Sequence, residues 1–220
     1  MHEKLLPVKT VERLCKYRRV LLHQIKENVE YIYSKELAKL TYSNSVQVRY
    51  DLMLIGHNAI PGKGYSIKDL VISINKKMEK KSHINAAIIG MGRIGQACLK
   101  YFNDINSKAR IVATFDNDPE KTNCTNERIQ CYPVSLFREL ALQKKIQIGI
   151  IATNKESAEE VKELLIDSHI KGIINLTTMP LNVPDYIYLE ELDLSASLEK
   201  AAYFIRNMHS ESVNRNPCFY

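Results

Sequence analysis

Gly90, Gly92 and Gly95 stand in the run "NAAIIGMGRIGQACLKYF", residues 85–102. A short apolar, β-prone stretch comes directly before them and a helical one directly after. That context and the Gly-x-Gly-x-x-Gly spacing suit one chemistry, the binding of a phosphate by main chain. The first glycine allows a tight turn, the second lets the backbone approach a pyrophosphate, and the third lets a helix pack close to a strand. The start of the helix adds free N–H groups and a positive dipole end. A second strand, "RIVATFD", ends in Asp116, 21 residues beyond Gly95. A carboxylate there can accept hydrogen bonds from both hydroxyls of an adenosine ribose and would repel a 2′-phosphate, so NAD(H) is favoured over NADP(H). The same loop on a Rossmann-like fold could also hold another phosphate ligand, such as coenzyme A.

The elements that must position these residues alternate along the rest of the chain. Residues 135–145 and 156–170 read as helices, and 146–153, 171–177 and 186–190 as strands. Strands alternating with helices imply a doubly wound parallel sheet, whose ligands bind beyond the C-terminal strand ends. Thr153-Asn154 and Leu176-Thr177-Thr178 stand at two such ends. None of the six histidines falls at the end of a Rossmann strand, and His169 belongs to the opposite end of the sheet. A hydride-transfer enzyme also needs a substrate domain, and the residues after the sheet hold only one helix, 192–208, with Leu194, Leu198, Ala201, Ala202 and Ile205 as its apolar stripe. No catalytic or metal-ligating set is therefore expected. That stripe needs a cover, and a partner subunit is a natural one. Residues 209–220 read as a disordered tail.

Charge divides the chain. Residues 1–82 carry 16 Lys and Arg against 8 Asp and Glu, a net of +8, within a total of +6. A basic first half joined to a near-neutral second half suggests a polyanion partner for the first half only, although a solvated basic surface has the same composition. No apolar run approaches the roughly eighteen residues of a membrane span, and the first residues lack a signal-peptide pattern, so a cytoplasmic location is expected. The five cysteines, Cys15, Cys98, Cys124, Cys131 and Cys218, lack Cys-x-x-Cys spacing and read as free thiols. Cys124 and Cys131 flank a polar loop and could bridge on oxidation.

Within the basic half, Val11, Leu14, Leu21, Leu22 and Ile25 recur close to a helical period, with Thr10 as the expected cap and Arg13, Lys16, Arg18 and Arg19 as surface decoration. A short helix from Ser34 to Leu40, the connection "TYSN", and a second helix capped by Ser43 or Asn44 make a helix-turn-helix pattern. Val48, Leu52 and Ile55 should face the core, leaving Gln47 and Arg49 on the flanks and Val46, Tyr50 and Met53 opposite. A recognition helix needs that layout, though a plain helical hairpin would share it. Pro61-Gly62 and Gly64 then mark a tight turn with Lys63 at its tip, the expected wing. Residues 66–81 follow as an amphipathic helix with Ser66 and Asp69 as a capping pair and Ile67, Leu70, Val71, Ile74 and Met78 as its stripe, and the lysine run to Lys81 and Ser82 reads as a linker.

A basic winged helix joined to a dinucleotide fold without a substrate domain resembles the Rex family of bacterial redox-sensing transcriptional repressors. The segments that carry the resemblance are "TVERLCKYRRVL", "VQVRYDLMLIG", "PGKGY", "GMGRIGQA", "FDNDPEK", "KGIINLT…LNVP" and "LDLSASLEK", from about Pro7 to Met208. It implies an α/β protein with a winged helix-turn-helix domain over 1–82, a Rossmann domain over 83–190, and a domain-swapped helix over 191–208 that joins a homodimer. It implies operator DNA as partner and NADH and NAD+ as ligands, with DNA released when NADH binds. DNA contacts would fall on Asn44, Ser45, Gln47 and Arg49 and on Lys63, Gly64 and Tyr65 of the wing. Dinucleotide contacts would fall on Gly90, Met91, Gly92, Arg93, Ile94, Gly95 and Asp116, with Thr153 and Thr177 nearer the nicotinamide. Arg19, Tyr101 and Asp193 would link the winged helix, the Rossmann domain and the swapped helix.

The chain departs from the family pattern at Tyr50, where a second basic residue is usual, at Asn154, near which a proline is common, and at Ala59, in place of a glycine. Losing one phosphate contact at position 50 would lower affinity and shallow the salt dependence by about one counterion per subunit. Two other readings of the residues stay open, an NAD-dependent dehydrogenase and a coenzyme A-binding protein, each with a basic helical extension.

Overall fold

The computed structural model of the chain describes residues 5–78, 83–104, 109–122 and 124–208. The expected linker through Ser82 and the tail from residue 209 lie outside the described residues. Two compact units divide the chain between residues 81 and 82.

The first unit is built on α1 (Val8–Lys26), which starts from Pro7. Proline suits a helix start because its missing N–H would have no helical partner there. Thr10, expected as the cap, lies instead in the first turn with its side chain buried. Leu14, Tyr17 and Leu21 form the fully buried face of α1. Tyr17 was absent from the expected stripe, and Leu22, which was in it, is exposed. A two-residue strand, β1 (Tyr31–Ile32), precedes α2 (Ser34–Thr41), whose start is closed by the Glu36 carboxylate accepting the Tyr33 N–H at 2.8 Å. The chain turns through Tyr42 in the left-handed region, φ 51°. Asn44 then caps α3 (Ser45–Leu54), its side-chain oxygen accepting the Val46 N–H at 2.8 Å.

Residues 60–64 close a turn through a single bridge between Ile60 and Gly64. β2 (Tyr65–Ser66) leads from it into α4 (Ile67–Met78) and pairs antiparallel with β1. The strand that leaves the wing turn thus finds its partner in β1, just ahead of α2. Ser66 accepts the Asp69 N–H at 3.4 Å at the start of α4. Val48, Leu52, Ile67, Leu70 and Ile74 close the core over α1. Each such side chain, fully buried, contributes about 1.5–3 kcal/mol.

The second unit opens with β3 (Ile84–Ile89), α5 (Arg93–Asp104) and β4 (Ala109–Asp116). A hairpin follows, β5 (Thr125–Asn126) and β6 (Ile129–Pro133), where only a polar loop was expected. Then come α6 (Phe137–Gln143), β7 (Ile146–Ile151), α7 (Ala158–Asp167), β8 (Gly172–Asn175), β9 (Tyr188–Glu191) and α8 (Leu194–Met208). The strands form one sheet in the order β5-β6-β4-β3-β7-β8-β9, parallel apart from the β5–β6 pair.

Period-two alternation sends Ala87 and Ile89 of β3 to one face, where they pack with Phe137, Ala158, Val161 and Leu165 of α6 and α7. Ile88 points to the other face, with Leu99 of α5. The sheet is covered on both faces, as a parallel sheet requires. Leu194, Leu198 and Ile205 of α8 remain exposed within this unit, Leu198 by 73%.

Candidate functional site

The chain runs from central β3 to β4 on one side, and later places β7 on the other side of β3. The connections after β3 and β7 therefore diverge, and a crevice opens at the C-terminal strand ends. A cavity of about 770 Å³ occupies that end of the sheet. Gly90, Gly92, Asp116 and Thr153 of the expected set line it.

Gly90 has φ 98°, a conformation that L side chains rarely adopt, and its N–H donates to the Phe115 carbonyl at 2.8 Å. At Gly95 a Cβ would fall 1.9 Å from the Gly90 oxygen, so only glycine lets α5 start this close to the strand end. Gly92 has open space where a side chain would be. The loop thus offers bare backbone and a helix start to a pyrophosphate, and the residues fit that group.

Met91 has a buried side chain, and its N–H donates to Asp116 Oδ2 at 2.7 Å, fixing the carboxylate. Gly95 is likewise buried, with a packing role. Arg93 and Ile94 are exposed on the first turn of α5. Asp116 Oδ1 accepts the Asp118 N–H at 2.8 Å, so the carboxylate is locked by two main-chain donors.

Thr177 is buried. Its hydroxyl donates to Asn175 Oδ1 at 2.8 Å and accepts the Met179 N–H at 3.3 Å, shaping the loop after β8. Asn154 takes up a defined role where the family pattern departs: its Oδ1 accepts the Ser157 N–H at 3.0 Å and starts the helical turn that leads into α7. Residues the motif does not reach also line the cavity, among them Lys121, Ser135, Arg138 and Glu160. Of these, only Lys121 carried a sequence signal, its place in "FDNDPEK". Cys124 is exposed and Cys131 buried, both free, with the Cys131 N–H donating to the Cys124 carbonyl at 2.9 Å. Burial pushes the Cys131 thiol above its ordinary range.

In the first unit α3 presents Val46, Arg49, Tyr50 and Met53 outward, while Lys63 is exposed in the turn of the wing. The Lys63 ammonium lies 5.7 Å over the Tyr31 ring, and the Tyr33 hydroxyl donates to the Gly62 carbonyl at 2.8 Å. Tyr31 of β1 and Tyr33 just after it thereby brace the tip of the wing. Tyr65, of the expected DNA-facing set, has a side chain only 6% exposed that packs in the core. Gly64 is buried, and a side-chain atom there would lie 2.7 Å from the Ile32 carbonyl oxygen.

Asp51 was unsuspected. It is completely buried on α3 and accepts from Arg13 Nε at 2.6 Å, Arg13 Nη2 at 2.8 Å, Tyr17 Oη at 3.0 Å and Gln47 Nε2 at 3.0 Å. Arg13 is therefore no surface decoration. Its pKa is raised, first by the hydrogen bond to Asp51. Burial, followed by the charge of Asp51, drives that of Tyr17 well above the usual phenol range. Gln47 is half-buried on α3, and its amide is tied to this buried carboxylate.

The three expected coupling residues have separate settings. Arg19 is exposed on α1. Tyr101, which helical pattern alone would bury, is 58% exposed on α5. Asp193 caps α8, its Oδ1 accepting the Ser195 and Ala196 N–H groups at 2.8 and 3.0 Å.

Two family models match, a CoA binding domain over residues 81–179 and a putative DNA-binding protein N-terminus over residues 6–52. The chain is 30% identical to the redox-sensing transcriptional repressor Rex of Lactobacillus gasseri over 205 residues, covering 93% of this chain and 96% of that one. The chain belongs to the Rex family. The Rex of Streptococcus thermophilus is 29% identical over 98% of both chains. Among solved structures, the Rex-family repressor RSP in complex with β-NAD+ and operator DNA superposes with a TM-score of 0.84 at 27% identity, covering 96% of this chain and all of that one. RSP in complex with β-NADH gives a TM-score of 0.82 at 27% identity. The Rex match spans both units, and its α/β architecture is the one described above. No helix among the described residues is long and apolar enough to cross a membrane.

Proposed function

We propose that this Rex chain is a redox-sensing repressor that holds operator DNA while NADH is scarce and releases it when NADH binds. One observation carries the reading. A winged helix and a dinucleotide-type cavity occur on a single chain that matches, over nearly its whole length, a repressor solved with NAD+ and operator DNA and also with NADH. The chain acts as a regulator in the cytoplasm, where its DNA is, and the cofactor is its signal and not its substrate.

In this reading Asn44, Ser45, Gln47 and Arg49 meet the major groove and Lys63 meets the backbone at the wing. The loop from Gly90 to Gly95 and Asp116 hold the adenosine diphosphate part of either cofactor. Bound nicotinamide supplies the redox difference as charge, positive in NAD+ and neutral in NADH, and Thr153 and the loop shaped by Thr177 stand at that end. The exposed Leu194, Leu198 and Ile205 of α8 pack on a second copy through a swapped helix, giving a homodimer suited to an inverted-repeat operator. Coupling requires NADH to favour one dimer arrangement over another, with Arg19, Tyr101 and Asp193 carrying that difference.

The cap made by Asp193 shapes the coupling test. Alanine there removes both charge and cap and costs about 1 kcal/mol of helix stability, whereas asparagine caps nearly as well. Asp193→Asn should therefore dimerise normally yet need several-fold more NADH to release DNA. Release at the wild-type concentration would remove Asp193 from the coupling set.

The function itself is tested by selecting duplexes from a random-sequence pool with the immobilised protein and eluting with NADH. An enriched inverted repeat in the eluate is expected. An eluate no richer in any sequence than the input pool would overturn the reading.

A further inference from the structure

The turn after β4 carries a charge arrangement that the glycine motif does not explain. Asp118 Oδ1 accepts the Glu120 N–H at 3.0 Å, and the Asp118 carbonyl accepts the Lys121 N–H at 3.0 Å. This tight turn points Lys121 back toward the end of β4, on the wall of the cavity. Its ammonium lies 3.1 Å from Asp118 Oδ2 and 3.6 Å from Asp116 Oδ2. Two carboxylates thus share one cation, and the ribose end of the cavity keeps one net negative charge.

We infer that Lys121 is a specificity-determining residue of the ribose end of the cavity: it is the cation a 2′-phosphate would meet, and Asp116 and Asp118 together withhold it. The inference rests on the proposed reading of the cavity as a dinucleotide site. A carboxylate has about four lone-pair positions. Asp116 uses two for the Met91 and Asp118 N–H groups and turns Oδ2 toward Lys121. Capacity remains for a ribose hydroxyl, which arrives neutral and as a donor. A 2′-phosphate arrives with a charge of about −1.5 to −2 and only acceptors. It must compete with two carboxylates for Lys121 and meets their net repulsion. The hydrogen bond to Asp118 is the first cause of the raised Lys121 pKa, so the cation is charged throughout the neutral range.

Lys121 therefore opposes Asp116 in setting the preference. Removing the lysine leaves two uncompensated carboxylates and sharpens rejection of the phosphate. Removing Asp116 frees the lysine for it.

Calorimetric titration of the full-length protein with NADH and with NADPH tests this. Calorimetry suits a chain that contains no tryptophan to report binding by fluorescence. Wild type should prefer NADH. Lys121→Met should widen the NADH preference by about tenfold, the scale of one charge pair in a partly solvated site, and Lys121→Arg should restore it. Asp116→Ser should narrow or invert the preference, and the gain in NADPH binding should disappear in Asp116→Ser/Lys121→Met. An unchanged ratio in Lys121→Met, with equal NADPH binding in the single and double Asp116 variants, would overturn the inference while leaving the cofactor reading intact. Failure of wild type to bind either nucleotide would overturn both.

Discussion

Asp51→Ala is expected to cost the winged-helix unit about 3–5 kcal/mol, the scale for breaking a buried ion pair by removing one partner. The carboxylate is fully buried and accepts four hydrogen bonds. Alanine would strand the Arg13 guanidinium, leave the buried Tyr17 hydroxyl without its acceptor, and release Gln47 from the core. The loss should appear in urea titrations followed by amide exchange at Val48 and Leu52, whose side chains are fully buried on the same helix. Asp51→Asn, which keeps an acceptor but loses the charge, should fall between wild type and alanine. DNA affinity should drop with stability, because the helix that carries Gln47 and Arg49 depends on this anchor. NADH binding should persist, since the cavity belongs to the other unit, with its own core. Wild-type stability in Asp51→Ala would show that the network contributes little.

The second large effect is expected from Gly95→Ala. The added Cβ would lie 1.9 Å from the Gly90 carbonyl oxygen, a main-chain atom that no rotamer change can remove. Either α5 or the loop must shift. The loop is constrained in turn, because Gly90 sits at φ 98° and a Cβ there would meet the Ala152 main chain at 2.7 Å. Overpacking of this kind costs about 1–3 kcal/mol, occasionally more, and displaces the main-chain N–H groups at the start of α5. Gly95→Ala should thus reduce binding of NADH and NAD+ alike by about a hundredfold or more, because both share the adenosine end. Gly92→Ala, with open space at its Cβ position, should be milder in stability and reduce affinity only through contact with the ligand. Equal affinities in wild type and Gly95→Ala would remove the loop from the cofactor site.

The difference between these two cases shows what a single sequence can carry. The glycine loop was legible because its physics is local: a strand, three glycines and a helix start lie within about twenty residues, and Asp116 stands at the end of the next strand. The parallel, doubly wound character of the sheet followed from strands alternating with helices. β6 was missed because "ERIQCYP" interrupts its apolar residues with polar ones. Its stability comes from pairing with β4, through Cys131, Tyr132 and Pro133.

Asp51 was missed for a related reason. A carboxylate between Val48 and Leu52 demands a buried partner, but its partner Arg13 lies 38 residues away and was one of many basic residues. Tyr17 is fully buried though outside the expected stripe, and Tyr101 is 58% exposed, since both sit on helices whose apolar faces are set by neighbours remote in sequence. Tyr65 entered the expected DNA-facing set through the family resemblance, and its burial depends on the pairing of β2 with β1, which lies more than thirty residues earlier. Lys121 lay inside a family segment, yet its pairing with both Asp116 and Asp118 depends on the turn that folds it back.

The account is tested most directly by titrating one selected operator duplex and the wild-type protein with NADH and NAD+ side by side, reading the bound DNA by gel shift. NADH should release the DNA at a concentration far below any at which NAD+ does so. Release by both at the same concentration, or by neither, would contradict the proposal that this chain reads the redox state of the dinucleotide and reports it to DNA.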